Sequence, residues 1–192
     1  MRRTFVSALA GVAILFPLIP GPALAKPLIG EAGEDFRKGT WAVEVDGSYI
    51  TPIRFSDDTF YEGSVLASYY FGDDVSIGAE IQGYFVDQPG DNALIFGGGP
   101  LLRWHFYEAE RFSLFADVGI GASIADHTVP AGGTHFNWTG KGGVGATIEL
   151  RRGVHLVGGG RFFHISNGNL HGRDQNPSQD GIQGYVGVMF TF

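Results

Sequence analysis

The chain has 192 residues, with 31 glycines, no cysteine, 14% aromatic and only 17% charged residues, and a formal net charge of −7. The missing cysteine excludes disulfide scaffolds, thiolate metal sites and cysteine nucleophiles. The acidic balance argues against a nucleic-acid binder, which would carry a basic face. With 44% hydrophobic residues there is ample material for one packed domain.

The first 25 residues read as an export signal. Arg2-Arg3 is a short positive start, Phe5 to Ile19 is apolar, and Ala23-Leu24-Ala25 supplies a small-x-small cleavage site. That apolar run is short for a membrane helix, which needs about 20 residues. The expected organisation is a signal peptide over residues 1–25 and one domain over residues 26–192. Once Arg2 and Arg3 are removed, 11 basic and 20 acidic residues remain, a net of −9.

No later stretch could form a membrane helix, and period 3.6 is almost absent. Period 2 dominates instead, broken by glycine, aspartate and asparagine turns. Eight strands are predicted in order: Thr40–Ile50, Thr59–Phe71, Val75–Val86, Ala93–Phe106, Phe112–Asp126, His135–Leu150, Val154–Ser166 and Gly181–Phe192. They are about twice the usual strand length, which suits a tilted membrane crossing of about 9–11 residues. In the third strand Val75, Ile77, Ala79, Ile81 and Phe85 share one face, opposite Ser76, Glu80, Gln82 and Tyr84. The fifth and sixth strands alternate in the same way. Glu80, Asp117, Lys141 and Arg161 fall on the weaker face, where they can pair inside a small barrel.

Connections alternate between tight turns (Gly72 to Asp74, Tyr107 to Arg111, Arg151 to Gly153) and longer linkers. The longer ones are Pro52–Asp58, Asp87–Asn92, His127–Thr134 and Asn167–Asp180. That asymmetry is the habit of outer-membrane barrels. Phe192, in phase with Val186, Val188 and Phe190, resembles the terminal signal read by the barrel-assembly machinery. The fold class expected is therefore an all-β, eight-stranded antiparallel transmembrane barrel of the bacterial outer membrane. A soluble lipocalin-like barrel with the opposite polarity is the competitor. Gly97-Gly98-Gly99-Pro100 lies inside the fourth strand and reads as a bulge or kink.

An eight-stranded barrel is filled by its own side chains, so a pore is not expected and function falls to the outer wall, the loops or the rim. His164 and Ser166, two apart on the seventh strand, share a face about 6.6 Å apart along the chain. An imidazole can reach a serine hydroxyl over that span, giving the nucleophile–base pair of acyl transfer. Their phase is that of Leu156, Gly158, Gly160 and Phe162, so both project toward lipid, where polar side chains are expensive without a function. With both termini on the periplasmic side, the pair sits at the outer-leaflet end, among the acyl esters of lipopolysaccharide.

This part of the chain resembles the outer-membrane lipid A 3-O-deacylases of the PagL type. His164-Ile165-Ser166-Asn167 matches that family's His-x-Ser-Asn, Asn176-Pro177 resembles its asparagine loop, and Asp180 to Tyr185 looks like the start of its last strand. The resemblance implies a serine esterase that needs no cofactor and no metal. Lipid A would be its substrate in the outer membrane, with Ser166 attacking the ester carbonyl and His164 as base. Asn167, Gly168 and Asn176 would stabilise the oxyanion or position substrate. Gln183 stands where the family's catalytic glutamate would align, so the third member is open between Asp180 and Gln183, with Asp174 behind them. A non-catalytic structural or adhesive barrel is the alternative function.

The other histidines read plainly: His105 and His155 face inward, and His127, His135 and His171 lie in or near loops without metal spacing. Asp57-Asp58, Asp87 and Asp91 are outward loop acids that could share divalent ions with lipopolysaccharide phosphates, although solvated loops are the simpler reading.

Overall fold

The computed structural model describes residues 34–53, 58–170, 172 and 176–192. The expected signal peptide, Asp57, His171 and Asp174 lie outside the described residues. A 3₁₀ turn at Glu34–Phe36 precedes eight strands: β1 (Trp41–Pro52), β2 (Thr59–Gly72), β3 (Val75–Asp87), β4 (Ala93–Ala109), β5 (Phe112–Val129), β6 (Thr134–Arg151), β7 (Val154–Ser166) and β8 (Gln179–Thr191). Each pairs antiparallel with the next, and β8 pairs with β1, closing the barrel.

The alternation resolves as a membrane barrel, not a lipocalin. Ile77, Ile81, Phe85, Ile120, Ile124, Val144 and Phe162 are exposed on the outer wall, while Ser76, Glu80, Gln82, Ser113, Asp117, Asn137 and Lys141 are buried inside. Apolar outside and polar inside inverts the soluble arrangement. The lumen is filled in layers. Next to the longer loops, Ile50, Phe60, Tyr84, Val86, Phe163 and Ile165 form an apolar layer. In the middle, Arg161 Nη2 donates to Asp117 at 2.7 Å and Arg103 Nη2 at 3.2 Å, while Arg103 also pairs with Glu44. Lys141 Nζ reaches Glu80 at 2.7 Å and Glu62 at 3.4 Å. Arg161 also lies over the Tyr185 ring, 3.9 Å from its centroid.

The mouth beside the short turns is capped by Phe36, which stacks on His105 at 4.0 Å between centroids and packs on Tyr70 and Met189. His105 is held by Tyr70 Oη at 3.0 Å and Ser113 Oγ at 2.8 Å, and His155 lies 3.4 Å from Asp35. Both inward histidines are thus part of the filling.

Three expectations need correction. First, β4 holds one register through Gly97–Pro100, with Ala79 opposite Pro100 and Gly98 opposite Ala122, so there is no bulge there. The glycines serve close strand contact: a Cβ on Gly99 would fall 2.0 Å from the Ile120 carbonyl oxygen. Register shifts occur instead near strand ends, at Tyr70/Gly72, His105/Tyr107, Ile124/Val129 and Glu149/Arg151. Second, β5 and β6 run on past the expected ends, with Val129 opposite Thr134, which places His127 on a strand, as expected of His135, and shrinks the loop between them to residues 130–133. Third, β8 begins at Gln179, two residues before the expected Gly181.

The turn joining β2 to β3 carries a titratable group. Asp74 adopts a left-handed φ of 67° and is buried. Its carboxyl is pushed up to about 8, by burial first and then by the neighbouring charge of Glu108. Between about pH 4 and about pH 8 the folded barrel therefore holds a proton that the unfolded chain releases, and stability falls as pH rises. Asn tolerates this backbone conformation and carries no charge, so Asp74→Asn should flatten the dependence. Unfolding temperatures read from heat-modifiable gel mobility should differ less between acidic and mildly alkaline buffer in the variant than in wild type.

Candidate active site

Residues of β7 alternate between lumen and lipid. Arg161, Phe163 and Ile165 point inward and are buried, which places Phe162, His164 and Ser166 on the outer wall at the end bearing the longer loops. The early start of β8 completes the arrangement, because it sets Asp180 directly opposite His164 in the ladder. Side chains at such a cross-strand pair are close enough to bond. Asp180 Oδ1 lies 2.7 Å from His164 Nδ1, and Ser166 Oγ lies 3.0 Å from His164 Nε2.

One neutral tautomer satisfies both contacts: Nδ1–H donates to the carboxylate, and Nε2 accepts from the serine hydroxyl. That is the protonation pattern a histidine needs in order to take a proton from a nucleophile. The His164 side chain is 40% exposed and that of Asp180 is 23% exposed, so the relay opens on the outer surface and not into the lumen.

Gln183 falls in the opposite phase. It is fully buried in the lumen, where its Nε2 donates to Ser48 Oγ at 2.8 Å and to Glu62. Three residues along a strand reverse the face, so Gln183 cannot touch His164 while Asp180 can. Of the two candidates for the third position, the structure brings together His164 and Asp180 and separates His164 from Gln183.

The loop after Ser166 is built by asparagines. The Asn167 N–H donates to Asn176 Oδ1 at 2.9 Å, the Asn169 N–H donates to Asn167 Oδ1 at 2.9 Å, and Asn176 Nδ2 donates to Asn169 Oδ1 at 3.0 Å. Gly168 and Asn169 both take φ of 64°, a conformation these two residue types adopt at low cost. Gly168 sits against Trp138, whose ring would lie 3.3 Å from an added Cβ. Asn167, Gly168 and Asn176 are thus gathered beside Ser166. Asn169 ties them together and was not singled out from the sequence. Its signal there was the turn-forming Asn-Gly-Asn run. Among the described residues no group of three His, Cys, Asp or Glu side chains is placed to hold a metal ion.

Several solved barrels share this architecture. Neisserial surface protein A superposes with a TM-score of 0.59 at 14% identity, over 80% of this chain and 96% of that one. The outer membrane enzyme PagL gives 0.57 at 16% identity, over 78% and 98%. The N-terminal barrel domain of Pseudomonas aeruginosa OprF gives 0.52 at 13%, over 81% and 98%. At these identities the likeness concerns the fold, that of an outer-membrane barrel. No individually curated protein matches the sequence. The family model described as lipid A 3-O-deacylase (PagL) matches residues 54–189, most of the barrel including β7, β8 and the loop between them, and the chain belongs to that family.

Proposed function

We propose that this lipid A deacylase works as a serine esterase, with Ser166 as nucleophile, His164 as general base and acid, and Asp180 as the carboxylate that orients the imidazole. The observation that carries this reading is the continuous Ser166–His164–Asp180 relay on the lipid-facing wall. A lipid substrate diffuses within the membrane, so a site on the outer wall meets it sideways and needs no channel through the filled lumen.

As Ser166 Oγ attacks the ester carbonyl of the 3-linked hydroxyacyl chain, its proton passes to His164 Nε2. The resulting imidazolium is stabilised by the Asp180 carboxylate on Nδ1. We assign the developing oxyanion to the Gly168 amide and the neighbouring carboxamides of Asn167 and Asn176. Collapse of the intermediate breaks the ester C–O bond, and the sugar 3-hydroxyl leaves with the proton from His164. Water, deprotonated by His164, then attacks the acyl-enzyme, releasing the hydroxy fatty acid and restoring Ser166. The orientation that suits this chemistry puts the longer loops outside the cell and the relay in the outer leaflet. Residues 1–25 would be removed on export, and Phe192 would present the last strand to the barrel-assembly machinery.

Mass spectrometry of lipid A from cells expressing the protein tests the mechanism. Wild type should remove one hydroxyacyl chain, whereas Ser166→Ala and His164→Asn, each checked for folding by heat-modifiable mobility, should leave lipid A intact. Loss of the serine should lower turnover by about 10⁴-fold or more, so near-normal deacylation by Ser166→Ala would refute the serine mechanism.

A second comparison separates the two candidates for the third position. Asp180→Asn should lower kcat by about 10³–10⁴-fold by disturbing the histidine tautomer. Gln183→Met, altered in the lumen and away from the relay, should keep kcat within a few-fold per mole of folded protein.

A further inference from the structure

Across the ladder from Ser166, on β6, stands Trp138. Side chains at such a pair have Cβ atoms about 4.5–5.5 Å apart. The indole reaches the loop that follows the serine: a Cβ on Gly168 would fall 3.3 Å from its Cδ1 and 3.7 Å from its Nε1. Phe136, two residues earlier on the same face, braces it with ring planes at 87° and centroids 5.3 Å apart. On its other side the facing residue of β5 is Ala122, too short to cover a large ring. Trp138 is therefore still 50% exposed.

We propose that Trp138 is a platform on which the sugar of the substrate stacks, a specificity-determining residue that holds the alcohol side of the ester. The inference rests on the lipid A substrate and the Ser166 nucleophile proposed above. An ester carbon poised for attack lies about 3 Å from the nucleophile. The sugar ring begins two bonds further on, each of roughly 1.4 Å. A residue directly opposite Ser166 is within reach of that ring. A pyranose presents C–H groups polarised by the neighbouring oxygens, and the negative face of an aromatic ring complements them.

Tryptophan is also a general anchor at membrane interfaces, and two observations set Trp138 apart from that role. The chain has three tryptophans. Trp41 and Trp104 lie toward the short-turn end, opposite Tyr69 and Val75, so the single tryptophan of the longer-loop end stands beside the nucleophile. Anchoring at that end is already supplied by Tyr49, Tyr61 and Phe85, which pack in a row across β1, β2 and β3 and are exposed. The indole also lies against the asparagine loop, the polar border of the site, where a sugar and not a hydrocarbon tail belongs.

The test measures binding to the full Ser166→Ala barrel in detergent, titrated calorimetrically with lipid A and, in parallel, with phosphatidylglycerol, which is anionic and acylated but has no sugar ring. Adding Trp138→Leu, which keeps an apolar side chain and removes the aromatic face, should raise the Kd for lipid A about tenfold. The Kd for phosphatidylglycerol should stay within about threefold, and Trp138→Phe should restore most of the lipid A affinity. With Ser166 present, Trp138→Leu should raise KM for lipid A and leave kcat within about threefold. A fall in kcat alone would mean that the indole only supports Gly168, and would overturn the proposal. An unchanged lipid A Kd overturns it too, as does an equal rise for both lipids, which leaves Trp138 a membrane anchor. Heat-modifiable mobility verifies folding, and if Trp138→Leu does not fold, Trp138→Ala takes its place. Hydrolysis that survives Ser166→Ala removes the serine mechanism without touching the Kd comparison, so the two readings fail separately.

Discussion

Closing eight strands into a ring leaves every side chain two destinations, lumen or lipid, and the rest of this molecule follows from that constraint. Because consecutive residues alternate strictly, one register per strand pair decides which set is buried. A slip of one residue in β7 would bring Arg161 into the bilayer and His164 into the filled interior. Register is therefore strongly specified here, and the placement of the relay is a by-product of the same specification.

The lumen enforces it. Among the described residues the acidic side chains Glu44, Asp46, Glu62, Glu80 and Asp117 are buried in the lumen together with Arg103, Lys141 and Arg161. Charges in so dry a place are tolerated only when paired and hydrogen-bonded. The Arg103–Asp117–Arg161 cluster joins β4, β5 and β7, and Lys141 on β6 joins β2 and β3 through Glu62 and Glu80. Apart from Arg103–Asp117, which links adjacent strands, these bonds cross the lumen and tie non-neighbouring strands, which the backbone ladder alone cannot do. The wall bearing the site is thereby braced from behind by groups that take no part in the chemistry.

Much of this was legible in the residue order. Alternation in β3, β5 and β6 assigns both faces, and the loop asymmetry with Phe192 chooses membrane over soluble barrel. His164 and Ser166 are readable because a two-residue spacing on a strand has one geometric meaning. The acid was harder. Asp180 and Gln183 differ by three positions, and choosing between them requires the β7–β8 register and the true start of β8, which are set by pairing between strands and not by local pattern. The Gly97–Pro100 run misled for a related reason. Its glycines answer to carbonyls on the neighbouring strands, those of Ala122 and Ile120 on β5 and of Glu80 on β3, contacts that no reading along β4 alone can reveal.

The division of the relay between β7 and β8 has a consequence for the life of the chain. His164 and Ser166 are on the penultimate strand, but the carboxylate arrives on the last one, 16 residues after the histidine. An isolated two-stranded hairpin is marginal at best, so the pairing that aligns Asp180 with His164 becomes durable only when β8 is also seated against β1. Under the proposed mechanism, the relay would be complete only once the barrel has closed, so hydrolytic competence would be gained together with the fold.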